Sequence, residues 1–176
     1  MGTRFLARLL VVAACVLLAS AGAWAQSPVL VGRVTEVTDG DTIRVALASG
    51  PVIVRLHSID TPERAQPWGR QATAALARRL RQGTEVSLQP ITQDEYDRLV
   101  AVVYLDEENL NAWMVQQGHA WAYRRYLDDA QYCAWEQQAR ASGLGVWSLS
   151  STKRIAPWEF RKAEREQTQI AMGSTV

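Results

Sequence analysis

The stretch VTDGDTIRVALASGPVIVRLHSIDTPE, residues 37–63, decides how the rest of the chain is read. Within it Thr42-Ile43-Arg44-Val45-Ala46-Leu47 alternates with period two, and Val52-Ile53-Val54-Arg55-Leu56 is a second β-branched run. Turn chemistry precedes each run: Thr38-Asp39-Gly40 before the first and Ser49-Gly50-Pro51 before the second. Upstream, Val29, Val31, Val34 and Val37 supply a third apolar series, so the segment is expected to be a three-stranded meander. The run then turns polar at Asp60, Thr61, Pro62 and Glu63, and Pro62 and Pro67 bound a loop.

Working outward, Ala72, Ala75, Leu76 and Leu80 recur at helical spacing over residues 71–81, and Gly83 closes that helix. Residues 85–89 alternate with Val86 and Leu88 on one face, and residues 99–105 form a β-branched strand stopped by Asp106-Glu107-Glu108-Asn109. A short helix carries Leu110, Trp113 and Met114 and ends at Gly118; another is expected over 128–141, under the acidic caps Asp128 and Asp129. Five strands with a helix between the third and fourth is the order of an OB-fold. The expected class is therefore mainly β with packed helices: a five-stranded OB-fold Greek-key barrel plus three α-helices.

With 176 residues, 48% hydrophobic and 21% charged, the chain suffices for one domain and its tails. Residues 1–25 read as a cleaved secretory signal peptide: Arg4 and Arg8 begin it, residues 9–18 are apolar, and Ala23-Trp24-Ala25 is a small-x-small cleavage site. An uncleaved anchor and acylation at Cys15 are the competing readings. A periplasmic or secreted location is expected. Removing this segment takes away two basic residues and no acidic ones, so the net charge passes from +1 to −1. A strongly basic footprint, which would by itself point to nucleic acid, is missing. Cys133 is then the one remaining cysteine, which excludes an internal disulfide, and it reads as a small buried hydrophobe. The domain is expected over 28–149. The polar tail, residues 150–176, is expected to be loosely ordered, with a short helix over PWEFRKAERE at most.

Charge gathers in three places where a barrel would otherwise want apolar residues: TDGDT (38–42), RLHSIDTPE (55–63) and DEYDR (94–98). A meander brings Asp41 and Asp60 within reach of each other, and two carboxylates there repel unless a cation or proton separates them. Oxygen ligands without a nearby His or Cys suit a hard ion such as Ca²⁺ or Mg²⁺, and His57 and His119, the only histidines, are too few for zinc. Both read as packing or surface residues. Arg55 and Arg98 could grip phosphate oxygens in bidentate fashion, and Glu63 could orient or deprotonate water. Arg124-Arg125-Tyr126 sets charge beside an aromatic ring, a pattern suited to tracking a nucleic-acid strand. Singly, each of these motifs is a common turn or surface pair.

Taken in order, VTDGDTIRV, VRLHSIDTPE and YDRLVAVVYLDEENLNAWMVQQGHAWAY resemble the thermonuclease, or staphylococcal-nuclease-like, family over residues 29–147. The resemblance implies a five-stranded OB barrel with three helices that hydrolyses phosphodiester bonds of DNA and RNA with Ca²⁺. It implies that Asp41 and Asp60 are the calcium carboxylates, that Thr61 lends its carbonyl, and that Asp39 is the supporting acid nearby. Glu63 takes the place of the general base, Arg55 and Arg98 those of the catalytic arginines, and Tyr96 and Tyr123 those of nucleotide-contacting tyrosines; Arg124 joins them as a candidate substrate contact. Asp97 stands where the family often has glycine, and Glu95 where a lysine can assist, both adding negative charge. A monomer with DNA and RNA as substrate and no stable protein partner is expected. The competing reading is a catalytically weak OB module that binds single-stranded nucleic acid or protein.

Overall fold

The computed structural model describes residues 28–173. The signal-peptide reading therefore lies outside the described residues. The strands are β1 (Leu30–Val37), β2 (Thr42–Leu47), β3 (Gly50–Leu56), β4 (Ile59–Asp60), β5 (Glu85–Gln93), β6 (Leu99–Leu105), β7 (Glu108–Asn109) and β8 (Trp121–Ala122). The helices are α1 (Gly69–Arg79), α2 (Leu110–Gln116), α3 (Gln131–Ala141) and α4 (Pro157–Gly173).

The main sheet runs β3-β2-β1-β5-β6-β7 and closes on itself where β3 pairs in parallel with β6, Val54 opposite Leu99 and Leu56 opposite Ala101. This is the expected five-stranded OB barrel, with α1 in the connection between β3 and β5. Period-two alternation fills its interior: Ile43 and Val45 from β2, Val54 and Leu56 from β3, Val86 and Leu88 from β5, Ala101 and Val103 from β6. In β1 the register differs from the valine count. Val29 and Val31 are exposed, and Gly32 and Val34 face inward. A Cβ on Gly32 would lie 2.6 Å from a Val45 methyl, so β1 presents backbone to the core there. A bulge between Val34 and Glu36 resets the pairing before the Asp39 turn.

Helices α1 and α2 lay Ala72, Leu76, Leu110, Met114 and Val115 on the barrel core. Asn109 caps α2 by accepting from the Ala112 N–H at 3.0 Å. α3 begins at Gln131 instead of Asp128. Asp129 Oδ1 accepts from the Gln131 N–H at 2.8 Å, whereas Asp128 is drawn away to His57 Nε2 at 2.7 Å. His57, read as a packing or surface residue, is buried and takes its partner from 71 residues away.

The tail departs most from expectation. Instead of being loosely ordered it forms a fourth helix, α4, 17 residues long. Pro157 suits the first helical position, and Ala156 packs in a second small core with Trp121, Ala139, Val146 and Trp147. Trp158 stacks on Tyr123, ring centroids 5.4 Å apart and planes within 5° of parallel. These apolar anchors, sparse in the sequence, hold a helix whose later turns are solvated.

Candidate active site

The site is assembled where the β1–β2 turn meets the end of β3. Thr38 and Asp39 donate their N–H groups to the Thr42 carbonyl, closing the turn, and the Leu56 N–H donates to the Asp41 carbonyl at 2.8 Å. Asp41 is thereby placed beside the segment that carries Asp60. Ser58, with φ of 66°, turns the chain after β3 into β4, where Asp60 pairs with Trp121 of β8.

Arg55 leaves β3 on the side opposite Val54 and spans both acids: Nη1 lies 3.1 Å from Asp41 Oδ1 and Nη2 3.0 Å from Asp60 Oδ1. Asp60 is 1% exposed and Asp41 6%. Thr61 donates its N–H and its hydroxyl to Asp41 Oδ2 at 2.7 and 2.8 Å. The observed role of Thr61 is thus to hold Asp41. Asp39 Oδ1 accepts from the Asp41 N–H at 3.0 Å. Burial first, then the neighbouring charge of Asp41, pushes the Asp39 pKa up to about 6. Burial also raises Asp60, with Asp41 adding to the rise, against the hydrogen bonds of Arg161 and the charge of Arg55.

Glu63 sits on the loop before α1, held by its surroundings more than by its own side chain. Its N–H donates to Gln66 Oε1 at 2.8 Å, and Gln66 Nε2 donates to the Ile155 carbonyl at 3.1 Å. Gly69 packs so closely that a Cβ there would lie 2.0 Å from the Glu63 carbonyl oxygen. The carboxylate itself is bound by Arg161 of α4, whose Nη1 lies 2.6 Å from Glu63 Oε1. The same guanidinium forks onto Asp60, with Nη1 3.2 Å from Oδ1 and Nη2 2.8 Å from Oδ2. Burial pulls the Arg161 pKa down, but the bonds to Asp60 and Glu63 outweigh it and leave it above the ordinary arginine value.

Asp41, Arg55, Asp60, Thr61, Glu63 and Asp39 are therefore brought together as read from the sequence. Arg98 stands apart, paired with Asp94, which its Nε approaches at 2.8 Å. Burial works against that acid's ionisation, but hydrogen bonds from Arg98 and from the Tyr96 N–H leave its pKa below the usual carboxylate range. Parallel pairing sets Arg55 opposite Val100, two residues after Arg98, which lies just before β6. Arg98 also lies over the Tyr96 ring at 5.3 Å, and Tyr96 is exposed at the hairpin tip. Asp97 occupies a left-handed conformation, φ 61°, the backbone state that favours glycine at that place. Tyr123 presents its face to Trp158, and Arg124 pairs with the buried Glu136 at 2.6 Å, which raises the Arg124 pKa.

A separate cleft of about 320 Å³ is lined by Trp121, Arg124, Arg140, Trp147, Arg154 and Trp158, and none of the site's acids lines it. Arg161, Gln66 and Trp158 were missed from the sequence. Two aromatic residues, Trp158 and Phe160, in an otherwise charged tail were the available signal.

Among the described residues no group of three or more His, Cys, Asp and Glu side chains forms a ready-made metal cage. The donor set at Asp41 and Asp60 nonetheless suits a hard divalent cation: it is all oxygen, buried, and carries raised carboxylate pKa values at Asp39 and Asp60 that a positive charge would relieve. Backbone carbonyls and water would have to complete it.

An OB barrel with two buried carboxylates, a bridging arginine and a third carboxylate at its mouth defines a protein equipped for phosphoryl chemistry. The sequence profile of the family described as staphylococcal nuclease homologue matches residues 53–149. A micrococcal nuclease of Shigella flexneri is 39% identical over 170 residues, 90% of this chain and 94% of its own. An uncharacterized endonuclease of Haemophilus influenzae is 37% identical over 76% of this chain and 74% of its own, and protein ParB of Escherichia coli 37% over 85% and 88%. The chain belongs to the staphylococcal nuclease homologue family.

Proposed function

We propose that this protein is an exported, calcium-dependent nuclease that hydrolyses phosphodiester bonds of DNA and RNA with little sequence preference. Family membership makes it a hydrolase of the micrococcal-nuclease type. The observation that carries the finer reading is the bridge from Arg55 to Asp41 and Asp60, 3.1 and 3.0 Å, next to Glu63.

Asp41 and Asp60 would hold Ca²⁺, which when bound supplies charge neutralisation at a phosphate oxygen. Arg55 is fixed by two carboxylates, so its remaining N–H directions are set before substrate arrives, as transition-state stabilisation requires. Glu63, on a loop whose backbone Gln66 holds, would orient and deprotonate water for in-line attack on phosphorus. Arg98 releases Asp94 in favour of the phosphoryl group from the neighbouring strand position. Arg124 and the cleft's Arg140 and Arg154 would offer cations to the strand flanking the cut, without a groove-reading element. The leader read over residues 1–25 would deliver the enzyme to the periplasm or medium as a monomer.

The test is direct. Purified mature protein is incubated with linear DNA and with RNA, in Ca²⁺ and then with a calcium chelator. Cleavage of both polymers that stops on chelation is expected; failure to cut either under any divalent condition would refute the reading. Mass spectrometry of the exported chain, with an N-terminus near Gln26 expected, tests export.

A further inference from the structure

Arg161 lies outside the matched segment 53–149, yet it makes three polar contacts to the site's acids, one more than Arg55. Its two terminal nitrogens take both oxygens of Asp60, at 3.2 and 2.8 Å, and one oxygen of Glu63 at 2.6 Å. Arg55 engages Asp60 Oδ1 alone, so the hydrogen bonds leave Asp60 Oδ2 to Arg161. The other candidate ligand, Asp41, gives Oδ2 to Thr61 and Oδ1 to Arg55. A cation reaching for Asp60 therefore meets a guanidinium already in place.

The element that delivers Arg161 is weakly held. Its anchors are the Tyr123–Trp158 stack, the small core around Ala156, and the Gln66 bond to the Ile155 carbonyl. Residues 163–169 are exposed, and these anchors all lie at the start of α4 or before it. Segments with so few buried contacts open at low cost relative to the fold.

We propose that Arg161 is an intramolecular competitor of the divalent cation, and that α4 is an autoinhibitory cover which cation binding displaces. This rests on the reading of Asp41 and Asp60 as cation ligands. Docked, Arg161 supplies the positive charge that the two buried acids and Glu63 require, and it engages the carboxylate proposed to handle water. Cation entry needs the Asp60 oxygens, so docking and cation binding exclude each other and are linked reciprocally: whatever weakens one strengthens the other. Calcium-poor surroundings would keep the enzyme capped; calcium-rich surroundings would open it.

The test uses the full mature protein and two readouts besides activity. Calcium affinity is measured by titration calorimetry for the parent, Arg161→Gln, Arg161→Lys and Trp158→Ala; amide hydrogen exchange of residues 157–165 is followed with and without Ca²⁺. Arg161→Gln is expected to bind Ca²⁺ at least tenfold tighter, Arg161→Lys less so, and Trp158→Ala to gain affinity although Arg161 is intact. Calcium should speed exchange in α4 of the parent. Unchanged or weaker calcium affinity in Arg161→Gln overturns the competition and leaves the calcium reading standing, as does tighter protection of α4 with Ca²⁺. No calcium binding by either parent or Arg161→Gln removes the calcium reading, and the competition with it.

Discussion

Arg55 reaches Asp60 across five positions of its own chain, Nη2 to Oδ1 at 3.0 Å, and neither side chain is more than 14% exposed. The planar fork is what allows one side chain to meet Asp41 and Asp60 together; an ammonium keeps the charge and loses that geometry. Arg55→Lys is therefore expected to fold and to lose about 100- to 1,000-fold in cleavage rate, the scale of removing one well-aligned transition-state donor. Circular dichroism with initial rates on DNA checks it, and near-parental rates would contradict the assignment.

Glu63 is 39% exposed at its side chain, so replacing its carboxylate by an amide asks little of the core. Glu63→Gln should lower kcat by roughly 100- to 10,000-fold, the usual range for a general base. Melting temperature should stay close to the parent's. A non-catalytic binding module would bind nucleic acid equally well before and after the change and cleave in neither case.

A glycine-to-alanine change at a helix start ordinarily stabilises, by up to about 1 kcal/mol. At Gly69 the sign should reverse. The new Cβ would meet the Glu63 carbonyl oxygen at 2.0 Å, so the loop that carries Glu63 must move. Gly69→Ala is expected to cost about 1–3 kcal/mol in urea denaturation, the scale of overpacking, and to depress activity along with stability.

Asn111 is completely buried on α2. Its Oδ1 accepts from the Val103 N–H at 3.0 Å, and its Nδ2 donates to the His57 and Ala101 carbonyls at 3.0 and 3.1 Å. Asn111→Ala leaves those backbone groups unpaired and should destabilise by roughly 2–4 kcal/mol. Chemical denaturation measures it.

His119 accepts at Nδ1 from Trp68 Nε1 at 3.1 Å, between the rings of Trp68 and Trp113. Burial first, and the charge of Arg78 second, lower its pKa below the ordinary 6.5. The unfolded chain thus binds more protons just below pH 6.5, and stability that is full above that value is lost as the pH falls toward the folded pKa. His119→Gln keeps an acceptor for Trp68 without a titrating ring. Its denaturation midpoint should fall less steeply than the parent's between pH 7 and 5; equal slopes would refute the linkage.

The barrel was legible because its causes are local. Alternation in β2, β3, β5 and β6, with turn residues between them, survives into the fold unchanged in type. Asp41, Arg55, Asp60 and Glu63 were legible because charge stood where a strand end should be apolar. Which face of β1 turns inward was not legible, because Gly32 carries no side chain to count and the bulge after Val34 shifts the register. The start of α3 was misread because Asp128 is claimed by His57, 71 residues away. Arg161 was illegible for the same reason on a larger scale: its partners lie 98 and 101 residues earlier, and the helix bearing it docks through the Tyr123–Trp158 stack, the small core around Ala156 and the Gln66 bond to Ile155.

The parallel pairing of β3 with β6 joins Val54 to Leu99, 45 positions apart, and the His57 N–H to Ala101 ties down the strand that leads to Asp60. Such distant pairings carry the largest loop-closure entropy and govern how fast a small barrel forms. Until that seam closes, the segment bearing Asp60 and Glu63 has no fixed position relative to Asp41. Refolding followed by tryptophan emission and by regained cleavage should therefore advance on one time course, with no inactive compact species preceding an active one. A chain still emerging or in transit, short of β6, is harmless to the nucleic acid around it.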